Sequence, residues 1–231
     1  MLPPLIDINN FKQAIEQDQL IITANQRLQA AINAAWSNHC ASISTTWYTP
    51  RIFSVDNWID ELWKELQDQN FGNISKNIVL DDHQIRYYWE RSIRICDGDQ
   101  DLKYAKNAAR TYKLLQRWML STEDITEDSP SIKIFRKWQK AYRRLLKQNK
   151  SITPDDRIQK ITEAYRLGTL LKESRVHTYG FQSIPPLFEQ LLNISSNSSH
   201  SIQSQSTNKN IKKVELEDRD EELRAATTWA T

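Results

Sequence analysis

A helical period runs without interruption through residues 80–171 and is flanked on both sides by strand-like segments. Upstream, residues 20–23 form a short apolar run, and an amphipathic segment with helical spacing begins at Asn25. Downstream, residues 175–179 return to strand composition. Because a strand, a tight turn and a helix form the unit of parallel sheets, this order predicts an α/β fold that carries a large inserted all-α subdomain.

The same pattern predicts three segments. Residues 1–70 form the first part of the α/β lobe, residues 71–172 the inserted helical subdomain, and residues 173–231 the return to the lobe. Residues 195–210 are mostly Ser, Asn and Gln, which predicts a flexible loop. Residues 211–216 are a further strand candidate, and the helix predicted after them reaches Thr231 without a stop signal. We therefore expect the chain to be the N-terminal piece of a longer protein, truncated within a helix.

Helix starts are marked by capping residues. The first helix is expected over residues 11–17 with Asn9 or Asn10 as its cap, and a long helix is expected over residues 99–120. The other predicted caps are Asn25, Ser54, Asp81 or Asp82, Ser129 before Pro130, and Thr153 before Pro154. The carboxylate pairs Asp81–Asp82 and Asp155–Asp156 fall at such starts, so capping explains them better than acid–base catalysis.

Catalytic signatures are missing from the sequence. The 4 glycines are scattered and form no phosphate-binding loop, and the 4 histidines and 2 cysteines have no partners at metal-ligand spacing. The sequence therefore predicts no catalytic residue, no metal site and no cofactor in this chain. It also contains neither a membrane-spanning run nor a secretory signal, and cysteine use is low, so we expect a cytoplasmic protein.

Positive charge is concentrated in one predicted helix. Between Pro130 and Thr153 there are eight basic residues and no acid. Seven of them recur at spacings of three and four, and we call this set the cationic stripe: Lys133, Arg136, Lys137, Lys140, Arg143, Arg144 and Lys147. A row of this kind suits a phosphate backbone. The alternative is a solvated helix face, or one that pairs with the acidic residues 215–222.

A weaker basic row and several aromatic residues accompany the stripe. The preceding helix carries Lys106, Arg110, Lys113 and Arg117 at the same spacing. Five tryptophans fall on apolar helix faces and are expected in the core: Trp58, Trp63, Trp89, Trp118 and Trp138. Tyr48 and Tyr142 are the weak candidates for stacking on single-stranded bases.

Four short motifs lie at residues 21–28 (IITANQRL), 47–63 (WYTPRIFSVDNWIDELW), 179–186 (YGFQSIPP) and 221–230 (EELRAATTWA). Together and in this order, they resemble the AddB/RexB-like family of bacterial DNA repair proteins. In the third motif Gln182 and Pro186 depart from the family pattern, so a polar role there is not carried over.

The resemblance implies a degenerate RecA-like (P-loop NTPase-like) parallel-sheet lobe without the Walker A lysine. It also implies that Thr23, Asn25 and Arg27 contact the DNA backbone, and Arg51 is a further candidate cation. The family's helicase-like body continues into a nuclease domain of the PD-(D/E)XK type, which here would lie after Thr231. The parent protein would then be an exonuclease or helicase-like repair protein, and this chain its non-catalytic part.

Two functions follow from these observations. In the first, the chain is a DNA-binding or scaffold lobe that lacks an ATP site and works in end processing and recombination. Its partners would be single-stranded DNA or a duplex end, the C-terminal domains of the same polypeptide and an AddA-like helicase subunit. In the second, the helical block is a protein-interaction module that binds an acidic partner and no nucleic acid.

Overall fold

A four-stranded parallel sheet forms the centre of the α/β part, as a computed structural model of residues 6–123 and 129–202 describes it. The strands are β1 (Leu20–Thr23), β2 (Ile52–Ser54), β5 (Val176–Tyr179) and β6 (Ser199–Ile202), in the order β2-β1-β5-β6. In the register, Ile21 lies opposite Ile52 and His177, and Val176 lies opposite Ser199. The predicted α/β class with parallel strands is confirmed.

Helices cover both faces of this sheet. Because alternate residues of β1 point to opposite sides, successive residues of this strand pack against different helices. Ile21 packs with α1 (Asn9–Glu16) and α2 (Gln26–Ala41), where Phe11 and Ile32 are buried. Leu20 and Ile22 pack on the other side with α3 (Val55–Asp68), α7 (Pro154–Arg166) and α8 (Pro186–Ser195). Strands that are buried on both faces explain why Leu20–Thr23 is a continuous apolar run.

The inserted helices have a core of their own. It is formed by α4 (Asp82–Asp97), α5 (Ala105–Arg117) and α6 (Pro130–Gln148) around the buried residues Trp89, Tyr112, Trp138 and Tyr142. Two two-residue strands, β3 (Ile78–Val79) and β4 (Ser151–Ile152), pair in parallel at its base. The prediction that residues 80–171 form several helices with no strand between them is wrong at β4, because two residues are too few to show an alternating pattern.

Other segments also differ from the sequence predictions. By packing, α7 belongs with the sheet, although the predicted subdomain of residues 71–172 includes it. A flexible loop was predicted at residues 195–210, but residue 195 is the last residue of α8 and residues 199–202 form β6, which pairs with β5. The polar side chains of β6 gave no strand pattern in the sequence. The strand candidate at residues 211–216 and the terminal helix lie outside the described residues.

Helix starts follow the predicted caps closely. Side chains of Asn25, Ser54, Asp81, Ser129 and Thr153 each accept a hydrogen bond from an amide in the first turn of the following helix. The exceptions are α1, which begins at Asn9 without a side-chain cap, and residues 99–120. There a 3₁₀ segment (Asp99–Tyr104) precedes α5, which ends at Arg117.

In the turn after β5, a glycine of the third sequence motif packs closely against a leucine of the first. Gly180 has φ +79°, and a Cβ at this position would lie 2.3 Å from Cδ1 of Leu28 in α2. We expect Gly180→Ala to lower the free energy of unfolding by about 2 kcal/mol, because the cost of moving the end of the Leu28 side chain adds to the backbone strain. Gly168→Ala is the matched control, since its φ is +73° but its Cβ would meet nothing within 4 Å. It should cost about 1 kcal/mol in urea unfolding, and equal losses would rule out a role for the Leu28 contact.

Candidate nucleic-acid interface

The cationic stripe lies on one face of α6. This helix begins at Pro130 after Ser129, whose hydroxyl accepts a hydrogen bond from the amide of Ile132 (3.4 Å). Its opposite face buries Trp138, Tyr142 and Leu145. At 3.6 residues per turn, the seven cations fall within an arc of about 120°. The helix contains no acidic residue, so its exposed face has a single sign of charge.

The cations along the middle of the stripe are exposed, and three of them make no ion pair with a described residue. Lys140, Arg144 and Lys147 are exposed, and within residues 6–123 and 129–202 none of them makes an ion pair or a side-chain hydrogen bond. Lys133 is also exposed, one helical turn before Arg136 and Lys137. The acidic residues 215–222, considered above as partners, lie outside the described residues. No described residue therefore occupies Lys140, Arg144 or Lys147.

On one flank, Lys137 holds the end of α4. Its ammonium donates to Oδ1 of Asp97 (2.6 Å) and to the carbonyl oxygen of Cys96 (2.9 Å). The indole Nε1 of Trp138 donates to Oδ2 of Asp97 (2.5 Å). Hydrogen bonds from Lys137 and Trp138 lower the pKa of the Asp97 carboxyl, so the pair is charged at neutral pH. Lys137 thus has a structural role.

On the other flank, two arginines contact the protein. Arg136 donates through Nε (3.1 Å) and a terminal nitrogen (2.6 Å) to the carbonyl oxygen of Thr122. The guanidinium of Arg143 lies 5.8 Å from the centre of the Tyr112 ring. Arg136, Lys137 and Arg143 thus already have contacts within the protein, although Lys137 and Arg143 are exposed.

Thr23, Asn25 and Arg27 come together in the turn at the carboxyl end of β1. Thr23 is 0% exposed, and its hydroxyl donates to the carbonyl oxygen of Asn25 (2.9 Å). Oδ1 of Asn25 accepts from the amide of Leu28 (3.0 Å) and caps α2. Arg27 is exposed and makes no hydrogen bond or ion pair with any described residue. Of the three, Arg27 has a side chain free to meet a ligand.

Arg51 lies at the opposite, amino-terminal edge of the sheet. Its two terminal nitrogens donate to the two carboxylate oxygens of Glu173 at 2.6 Å and 3.0 Å. This bidentate hydrogen bonding raises the pKa of Arg51 and ties the start of β2 to the segment before β5. The structure therefore brings Thr23, Asn25 and Arg27 together but separates them from Arg51, and the stripe lies on a third element, α6.

The aromatic predictions were right in part. Trp58, Trp63, Trp89 and Trp138 are buried as expected, but Trp118 is 48% exposed because it follows the last turn of α5. Tyr142, a candidate for stacking on bases, is 0% exposed, and its ring stacks on Trp89 at 4.3 Å. The prediction that Tyr142 is exposed for stacking on single-stranded bases is therefore wrong. Tyr48 is 95% exposed.

A cavity beside α5 was missed by the sequence analysis. It lies between α4, α5 and the start of α7, and Lys106, Arg110 and Lys113 line it together with Tyr142. The weaker basic row was visible in the sequence, but the cavity was not, because it depends on how α4, α5, α6 and α7 pack.

Compared with models of protein families and with curated proteins, the sequence gives no match. In the part of the chain described here, no helix is both long and apolar enough to cross a membrane. Over the same residues, no three His, Cys, Asp or Glu side chains cluster in a way that could hold a metal ion.

Proposed function

We propose that this chain binds DNA phosphates through the cationic stripe and serves as a non-catalytic, helicase-like lobe of a DNA repair protein. The observation that carries the proposal is the central row of Lys140, Arg144 and Lys147, which is exposed, unpaired among the described residues and free of neighbouring acids on its helix. Its partners would be the remaining domains of the same polypeptide and an AddA-like helicase subunit, in the cytoplasm.

The geometry of the row supports a polyanion rather than a single anion. Lys140 and Lys147 are seven residues apart, or about 10 Å along a rigid helix. Cations held at such spacing release several counterions at once when a phosphate backbone binds. Contacts of this kind position a nucleic acid without reading its sequence. The stripe would therefore guide a strand, and Arg27 would add a cation at the sheet edge.

The α/β part supports a lobe that does not hydrolyse nucleotide. A parallel sheet with helices on both faces and a helical insertion is compatible with a RecA-like lobe. In such lobes a glycine-rich turn after a strand cradles phosphate with backbone amides. The turn after β1 here contains no glycine, and the amide of Leu28 is already bonded to Asn25. These features favour a scaffold over a motor.

The test replaces the three central cations by glutamine. We expect Lys140→Gln/Arg144→Gln/Lys147→Gln to weaken binding of a labelled single-stranded DNA on the order of 100-fold near physiological salt. Each phosphate contact that is lost leaves one counterion on the DNA that the parent protein would release. The slope of log K against log salt should fall by roughly 2–3. Fluorescence anisotropy at several salt concentrations between about 50 and 200 mM measures both quantities.

The control variant is Lys12→Gln/Lys64→Gln/Lys172→Gln. It removes the same charge from the half-buried Lys12 on α1 and from the exposed Lys64 on α3 and Lys172 before β5, and it should leave affinity and slope unchanged. If both variants change affinity and salt slope equally, the stripe contributes only through the net charge of the protein. Binding of an acidic protein fragment that oligonucleotides do not displace would favour the protein-interaction function instead.

A further inference from the structure

The cavity beside α5 has the size and lining of a small-molecule site. Its volume is about 430 Å³, within the usual range for such sites. Ile85, Ala109, Tyr112 and Pro154 supply apolar wall, and a row of cations borders it. Apolar walls with a few placed polar groups are typical of sites that bind an organic molecule through both its body and its charge.

The cations of this cavity form a second row, distinct from the stripe. Lys106, Arg110 and Lys113 recur at spacings of four and three, so they share one face of α5 and span about 10 Å. All three are exposed, and none forms an ion pair or side-chain hydrogen bond with any described residue. A row of this length suits two phosphate groups better than one.

Two carboxylates also line the cavity, and neither forms an ion pair with a cation of the row. Asp155 is buried and accepts a hydrogen bond from Nε of Arg117 at 3.0 Å. Its negative charge is therefore balanced by Arg117, in the last turn of α5. Asp82 is exposed in the first turn of α4. The remaining cationic residue, Arg86, is bonded to Glu90 (2.9 Å). Among the residues that line the cavity, four cations therefore face two carboxylates.

The second observation is an unsatisfied hydroxyl. Tyr142 lines the cavity, is 0% exposed, and its phenolic oxygen has no hydrogen-bond partner among the described residues. Stacking on Trp89 at 4.3 Å and edge contact with Tyr112 at 5.4 Å fix the ring. A buried hydroxyl without a partner is costly, and of the four side chains with such an atom among the described residues, Tyr142 is the one that lines this cavity.

We propose that this cavity binds a nucleotide with two phosphates. The phosphates contact Lys106, Arg110 and Lys113, and the base lies against the apolar wall, where it takes the hydrogen bond of Tyr142. A free nucleoside diphosphate and a nucleotide unit within a DNA strand share this chemistry. Only the strand form rests on the DNA-binding function proposed above.

The test is isothermal titration calorimetry with three ligands: ADP, a 5′-phosphorylated thymidine dinucleotide and inorganic pyrophosphate. Tyr142→Phe removes only the hydroxyl, and Lys106→Gln/Arg110→Gln/Lys113→Gln removes the cationic row. We expect the first variant to weaken nucleotide binding about tenfold and the second to abolish it. The stripe variant Lys140→Gln/Arg144→Gln/Lys147→Gln should leave the affinity for these short ligands unchanged.

The outcomes separate the two sources and the two proposals. Binding of ADP assigns a free nucleotide, and binding of the dinucleotide alone assigns a strand. Failure of both to bind overturns the inference, as does pyrophosphate binding of equal strength with no effect of Tyr142→Phe. Thermal unfolding completes the test. Tyr142→Phe should not lower Tm without ligand, and a loss of Tm with unchanged affinity would mean that the hydroxyl serves folding alone. Loss of DNA binding in the stripe variant does not bear on these results.

Discussion

Replacement of Trp89 by alanine is expected to lower the free energy of unfolding by about 4 kcal/mol. Trp89 is fully buried in the helical core, where its ring stacks on Tyr142 at 4.3 Å and on Phe135 at 5.8 Å and meets the edge of Tyr112 at 5.7 Å. Three aromatic neighbours cannot close the resulting cavity without leaving their stacked positions, so both burial and ring contacts are lost. Urea unfolding followed by circular dichroism measures the change.

Trp118→Ala is the matched control, because the sequence pattern assigns both tryptophans to the core. Trp118 is half exposed just after α5, so its loss should cost no more than about 1 kcal/mol. Trp89→Phe should fall between the two, since it keeps a ring and removes an indole N–H that has no partner among the described residues. Equal losses for the two alanine variants would contradict the packing of the helical core.

Replacement of Arg117 by glutamine is expected to cost about 3 kcal/mol at neutral pH. Arg117 donates to Asp155 (3.0 Å), whose carboxylate is only 3% exposed at the start of α7, and its guanidinium lies 5.2 Å from the Phe188 ring in α8. The variant leaves a buried carboxylate without its partner and removes a contact between the inserted helices and the helices that cover the sheet.

The loss should shrink as the pH falls. Burial raises the pKa of Asp155, and Arg117 opposes that shift, so the variant raises it further. A carboxyl whose pKa is higher in the folded chain than in the unfolded chain binds more protons when folded. Its contribution to stability therefore grows as the pH falls through the folded pKa, down to the unfolded value near 3.9. Compared with the parent at each pH, the variant should lose less at about pH 5 than at about pH 7.

The double variant Arg117→Gln/Asp155→Asn provides the control. Without the carboxylate there is no uncompensated charge, so most of the stability should return at neutral pH and the pH dependence relative to the parent should vanish. Urea unfolding at both pH values decides the matter. A loss in the single variant that does not change with pH would show that Arg117 acts through its packing on Phe188 alone.

Local features of the fold could be predicted because their causes are local. Asn25, Ser54, Ser129 and Thr153 cap helices by bonding amides within three residues of themselves, so each was visible as a short sequence signal. The cationic stripe was predictable for the same reason, since a spacing of three and four places side chains on one helix face whatever surrounds it.

Contacts between distant segments determine which of the candidate cations are already paired within the protein. Arg51 and Glu173 are 122 positions apart, and Lys137 and Asp97 are 40 positions apart, so no window of sequence reveals that these cations are already paired. In the same way β6 is a strand only because β5 offers it a parallel edge, although its polar residues are typical of a loop.

The sequence by itself determined the α/β class, the helix starts and the positive face of α6, because these depend on residues close together in the chain. The tertiary structure alone decided that Trp118 is exposed while Tyr142 is buried, that the central cations of the stripe are unpaired among the described residues, and that a cavity opens beside α5. Burial, pairing and enclosed space are properties of how helices pack against one another, and packing joins residues that the chain keeps far apart.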